Sequence, residues 1–121
     1  MTPATFLPVY LKTLDETPLD VFPMLAPGFT FCFLWADERG AAEFAGSLDE
    51  YKGYLAQRQP DGQLHHLHVA TREGRTEVAT GHTTRFGEPL GTFTFTVELD
   101  ESERATRLFA ARTLAFQGRP F

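Results

Sequence analysis

The chain has 121 residues, 42% of them hydrophobic with twelve Phe, and a formal net charge of -5 at neutral pH. That length is one domain, large enough to bury a core without covalent staples. The acidic balance, with no run of Lys or Arg, argues against a nucleic-acid partner and against an anionic membrane surface.

Residues 3–14 read as a helix, because Phe6, Leu7, Tyr10, Leu11 and Leu14 recur at helical spacing and make one apolar face. Thr17, Pro18 and Asp20 then open a second helix: a cap, a first-turn proline and a charge that suits the helix dipole. Pro23 keeps it short or distorted, and Ala26-Pro27-Gly28 ends it. Residues 29–35 form a strand in which Phe29, Phe31 and Phe33 alternate with Thr30, Cys32 and Leu34. Cys32 is the single cysteine, so it makes no internal disulfide, and its apolar setting reads as a buried structural thiol. Residues 36–46 read as a loop. Ser47-Leu48-Asp49-Glu50 is a capping box that opens a third helix to about Gln59.

Pro60-Asp61-Gly62-Gln63 is a turn, and beyond it the period changes to two. Residues 64–72, 76–86, 90–99 and 104–116 read as four strands in an antiparallel meander. In the third of these, Phe93, Phe95, Val97 and Leu99 oppose Thr92, Thr94, Thr96 and Glu98, the mark of a half-buried strand. The predicted fold is therefore α+β: one domain, 1–121, with three N-terminal helical segments packed on a curved, mainly antiparallel sheet. The cleft between helices and sheet is the place to expect a ligand. No apolar stretch approaches the length of a membrane span, and a secretory leader pattern is absent, so a cytoplasmic setting is expected.

Four histidines are the sharpest local signal: His65, His66 and His68 on one strand and His82 on the next. His66 and His68 share a face, and His65 points away. A three-residue turn at Glu73-Gly74-Arg75 sets His66 opposite His82 and gathers three imidazoles, a first shell for zinc. A two-residue turn at Glu73-Gly74 sets His65 opposite His82 and groups Leu67, Val69 and Val78 on one face. Beside the metal reading stand two others: one of His66, His68 and His82 serving as a pocket acid or base, or all three as surface imidazoles. Trp35 either stacks on a flat ligand or plugs the core. Arg112 shares a face with Leu108, Ala110 and Leu114, so it should meet a carboxylate or an anionic ligand group. No phosphate loop, serine nucleophile elbow or Cys-X-X-Cys pair is present, and no cofactor is expected.

The order of helix, short helix, aromatic strand, helix and four-strand meander resembles the nuclear transport factor 2-like superfamily, including its SnoaL-like (polyketide cyclase-like) members. The resemblance covers nearly the whole chain. It rests on the amphipathic helix carrying Phe6 to Leu14, the pair Leu19-Asp20 and the Phe-rich strand. It implies a cone whose open end admits a small, mostly apolar molecule, and a homodimer formed through the sheet. Members of the superfamily include isomerases, cyclases, hydrolases and non-catalytic binders. By likeness to ketosteroid isomerase, Tyr10 stands where a hydrogen-bond donor on the first helix would be. Asp37 stands near the place of the carboxylate base. Thr92, Thr94 and Thr96 occupy the strand that would carry a protonated Asp. The expectation is thus a binding pocket in which Trp35, His66, His68 and Arg112 meet ligand, with Tyr10, Asp37 and His82 as the catalytic set if it is an enzyme.

Overall fold

Seven strands make one open sheet in the computed structural model, which describes residues 2–58 and 62–114. In chain order the elements are β1 (Thr2–Pro3), α1 (Phe6–Glu16), a 3-10 segment (Pro18–Met24), β2 (Leu25–Asp37), β3 (Gly40–Ser47) and α2 (Leu48–Gln57). Strands β4 (Gln63–Glu73), β5 (Thr76–Arg85), β6 (Glu88–Leu99) and β7 (Ala105–Leu114) follow. The sheet order is β1-β4-β5-β6-β7-β2-β3, antiparallel throughout except that β2 runs parallel to β7. Helices and sheet make an α+β fold. Among the described residues, no helix is long and apolar enough to cross a membrane.

The meander forms as its alternation dictates. Phe93, Phe95, Val97 and Leu99 are buried, while the alternating threonines face outward. Three expectations give way. Residues 36–46 are largely strand, because β3 pairs with β2 from Thr30↔Ser47 to Asp37↔Gly40. Only Phe44 among Ala41, Ala42, Glu43 and Ala45 hints at this locally; the pairing with β2 decides it. The strand expected at 29–35 runs from Leu25 to Asp37 and absorbs Ala26-Pro27-Gly28, which had read as a helix stop. Cys32 is a free, half-buried thiol on the outer sheet face rather than a core residue. The ends of the expected third helix and last strand, and part of the turn at 60–63, lie outside the described residues.

The β4–β5 hairpin takes neither expected turn, yet its histidines pair as the three-residue turn implied, His66 opposite His82. The turn is Gly74-Arg75, with Glu73 paired to Thr76 and Gly74 at φ 62°. A positive φ at the first turn position suits a tight hairpin and suits glycine. A bulge at His68 then shifts the pairing by one, so that Leu67 lies opposite Gly81 and His66 opposite His82. Gly81 is obligatory at this point, since a Cβ there would sit 1.9 Å from the carbonyl oxygen of His66. Bulge and glycine together curve the sheet.

Helix α1 packs into that curvature with Phe6, Leu7, Tyr10, Leu11 and Leu14 buried. An 11-residue helix is marginal alone, and Thr5 at its cap makes no side-chain cap bond. The sheet caps it instead. Glu77 of β5 is fully buried and accepts from the backbone N–H groups of Thr5 (3.0 Å), Phe6 (3.0 Å) and Leu7 (2.8 Å). Its charge thus meets the positive end of the helix and satisfies three donors left open there. Arg72 stands behind it, 3.4 Å from Glu77 Oε2, and pairs with Glu103 at 2.5 and 2.8 Å. Replacing Glu77 by Ala should cost about 3–5 kcal/mol, the range for removing one partner from a buried charged network. Urea unfolding of the variant beside Glu103→Ala, an exposed partner costing under about 1 kcal/mol, checks this.

Candidate functional site

Between α1, α2 and the concave face of the sheet lies a cavity of about 270 Å³. The strand register aims one side chain in two at it. Phe33 of β2, Ala110 of β7 and Phe95 of β6 lie side by side across three strands. Trp35, Arg112 and Phe93 form the next row. From α2, Tyr51 and Tyr54 close one wall, with Tyr54 5.9 Å from Phe33 and 5.8 Å from Phe44 ring to ring. Tyr10 of α1 lies beneath, fully buried, and its hydroxyl is hydrogen-bonded to that of Tyr51. Two hydroxyls sharing one such bond leave one O–H free to donate elsewhere.

The polar part of the lining is Arg58, His65 and Arg112 with the three tyrosines. His65 is the most constrained. Its side chain is 1% exposed, and its Nδ1 lies 2.6 Å from Asp15 Oδ1. The backbone N–H of His65 donates to the other oxygen of the same carboxylate at 2.8 Å. Among the described residues, β4 is covered by β1 only at Thr71 and Arg72, so this N–H lies on the edge side of the sheet. Asp15, in the last turn of α1, fills the missing partner's place. An ionised carboxylate only accepts, so the shared proton belongs to Nδ1 and the lone pair of Nε2 is left for the cavity. Burial among Phe93 (5.1 Å) and Phe95 (5.9 Å) pushes the imidazole's pKa below its ordinary value. Asp15 works in the opposite sense, and Arg112 and Arg58 add to the lowering. Burial also raises both Tyr10 and Tyr51, so each keeps its proton.

No sequence-family profile matches the chain, and no curated protein matches it in sequence. Solved structures do match in shape. A SnoaL-like family protein from Agrobacterium tumefaciens strain C58, described as a proposed isomerase, superposes with a TM-score of 0.64 at 16% identity, covering 91% of this chain and 94% of its own. An NTF2-like protein of unknown function from Cytophaga hutchinsonii gives 0.60 at 14%, covering 88% and 86%. A proposed ketosteroid isomerase from Kribbella flavida gives 0.65 at 14%, covering 96% and 81%. The fold is nuclear transport factor 2-like.

Within this NTF2-like cone the expected site residues fall into three groups. Tyr10, Trp35 and Arg112 line the cavity. Asp37 sits at the end of β2, where its Oδ1 accepts from the backbone N–H of Arg39 at 2.8 Å and closes the β2–β3 turn. It lines a shallow depression beside the cavity, together with Glu38, Arg39, Arg85 and Arg112. His66, His68 and His82 cluster on the opposite, outer face of the sheet. His66 stacks on His82 at 4.7 Å, His68 Nε2 lies 2.6 Å from His82 Nδ1, and His66 Nε2 meets Thr84 Oγ1 at 2.8 Å. Desolvation, with the neighbouring imidazoles, lowers the pKa of His82. No three-ligand metal cluster occurs among the described residues.

The residues that sequence reasoning passed over are Asp15, His65, Arg58, Tyr51 and Tyr54. His65 was visible in one respect: with Leu67 it occupies the parity that faces the helices. Asp15 follows Leu11 by one helical turn, at the border of the buried stripe.

The state of His65 gives a pH signature. The unfolded chain takes up this proton at its ordinary value near 6.5, the folded one only at lower pH. The contribution is therefore complete above the ordinary value and is lost as pH falls through the folded value. The His65 ring should titrate below the ordinary imidazole value in an NMR titration. Asp15→Asn, which removes the group that raises it, should lower it further.

Proposed function

We propose that this NTF2-like domain binds a small, mostly apolar molecule in the cone and moves a proton on it, as an isomerase or cyclase does. The observation that carries this reading is the Asp15–His65 pair: a buried imidazole with one nitrogen fixed by a carboxylate and the other presented to an aromatic cavity. That arrangement gives a neutral base at neutral pH, held in one tautomer. His65 Nε2 removes a proton from carbon next to a carbonyl, and the electron pair moves onto the carbonyl oxygen. The free hydroxyl of the Tyr10–Tyr51 pair donates to that oxygen. Return of the proton from His65 to a different carbon completes an isomerisation with no oxidant or cofactor. Trp35, Phe33 and Tyr54 supply apolar faces against which a flat substrate rests. The relatives described as proposed isomerases lend the same class of reaction, by analogy of fold. In this scheme His65 takes the base's place that the sequence offered to Asp37 or His82. We keep the cytoplasmic setting as part of the same reading.

The test is deuterium uptake from heavy water, followed by mass spectrometry. The substrates are a panel of cyclic and aromatic ketones, with and without a carboxylate. The wild-type chain should accelerate exchange in at least one. His65→Gln should lose about 10²–10⁴-fold of that rate, the usual worth of a general base. His82→Gln should keep it. Exchange that survives in His65→Gln unchanged would sink the proposal, as would no exchange in any member of the panel.

A second reading concerns the outer face and does not compete with the first. Among the described residues, helices cover only the concave side. The outer side presents Leu34, Val69, Val78 and Phe109, each more than a third exposed, among threonines. We propose that a second copy of this chain covers it, as the resemblance implied. A single charge at its centre, Phe109→Lys, should convert a dimer to a monomer in sedimentation velocity while leaving the circular dichroism unchanged. A wild-type monomer at tens of micromolar would refute the dimer.

A further inference from the structure

We infer that Tyr54 is a second hydrogen-bond donor to the substrate oxygen that gains charge in the cone, and that Arg58 is the positioning residue that holds its hydroxyl to that task. The inference deepens the proposed function and rests on its reading of the cavity as a site of proton transfer. The polar lining is divided between the two layers of the fold. The tyrosines stand on the helices, Tyr10 on α1 and Tyr51 and Tyr54 on α2, whereas His65 stands on β4. Donors and base therefore come from opposite layers. A carbonyl oxygen turned to the helices leaves its neighbouring carbon turned to the sheet.

Tyr51, Tyr54 and Arg58 are spaced by three and then four positions, which sets them on one side of α2. Arg58 closes that helix, its backbone N–H donating to the Leu55 carbonyl at 3.2 Å. From there its Nη1 donates to the Tyr54 hydroxyl at 3.2 Å. A phenol oxygen that accepts in this way keeps its own proton to give. Among the described residues that proton has no acceptor. Hydrogen bonds in a chain polarise one another, so the bond Tyr54 gives is strengthened by the charged one it receives. The ring is held on three sides: it stacks on Tyr51 at 6.0 Å and 9°, and meets Phe33 at 5.9 Å and Phe44 at 5.8 Å. An aromatic wall would need only that ring. The hydroxyl, with a guanidinium brought to it, serves something else.

The field of Arg58 reaches the other donors as well. Burial is the larger influence on Tyr10 and Tyr51, and Arg58 works against it at both by favouring negative charge there. An oxyanion forming beside those hydroxyls gains from the same field. The Tyr10–Tyr51 pair then supplies one O–H and Tyr54 the other, two donors for a single oxygen.

The test uses 4-nitrophenol, a planar phenol that ionises near neutral pH and whose oxygen stands in for the charged one. Absorbance separates its two forms, so a pH titration of the probe bound to the intact chain gives the affinity for each. The wild-type chain should bind the phenolate at least about tenfold more tightly than the phenol. Tyr54→Phe should lose about tenfold of that preference and keep the affinity for the neutral phenol, which also shows that the variant folds. Arg58→Met should lose part of the preference when Tyr54 is present and little once it is Phe, while Arg58→Lys should retain most of it. A full preference in Tyr54→Phe would overturn the inference and leave the pocket and the base His65 standing. An equal loss for Arg58→Met in both backgrounds would overturn its action through Tyr54. A wild-type chain that binds neither form would overturn the pocket reading too.

Discussion

The fold hangs on one buried carboxylate. Glu77 is completely removed from water, and its oxygens take the three backbone N–H groups that open α1. A bare carboxylate in such a place would be prohibitive, so its partners must be in position whenever the chain is folded. That requirement fixes where α1 begins and how it lies across β5, more sharply than apolar contact would. The five buried side chains of α1 provide adhesion, and Glu77 provides location. Everything on the helix inherits that location, including the depth of Tyr10 and the reach of Asp15.

Asp15 shows how the same helix serves the site at a local cost. A carboxylate in the last turn faces the negative end of the helix dipole, where a cation would be preferred. The placement makes sense only through what it touches: an open backbone N–H on β4 and the ring of His65. Residues that break a local rule often mark the places where chemistry is held. The helix is thus tied by carboxylates near both ends, one accepting from it and one belonging to it. Between these moorings lie Tyr10 and one wall of the cone.

Much of the architecture was legible in the chain because it rests on short periods. The stripe of Phe6, Leu7, Tyr10, Leu11 and Leu14 and the alternation of Phe93, Phe95 and Val97 each need only a few neighbours to be read. Strand β3 was not, since its alanines carry no pattern and the edge of β2 imposes its conformation. The site was legible in part for the same reason. Tyr10, Trp35 and Arg112 are placed by the periods of their own elements. The Asp15–His65 contact joins residues fifty positions apart and needs the tertiary fold to exist at all. The histidines were the hardest, because strand parity decides their side and parity turns on a single inserted residue.

That inserted residue is the bulge at His68, opposite the close approach at Gly81. With the bulge, His65 looks into the cone and His66 looks out. Were the same strand to pair regularly from the Gly74-Arg75 turn, every residue before the bulge would turn over, and His66 would look in. The identity of the imidazole inside is therefore written in backbone geometry, at a glycine that bears no functional group. A lineage carrying this hairpin could exchange one inward histidine for the other by a change in backbone pairing alone, with the histidines themselves kept in the sequence.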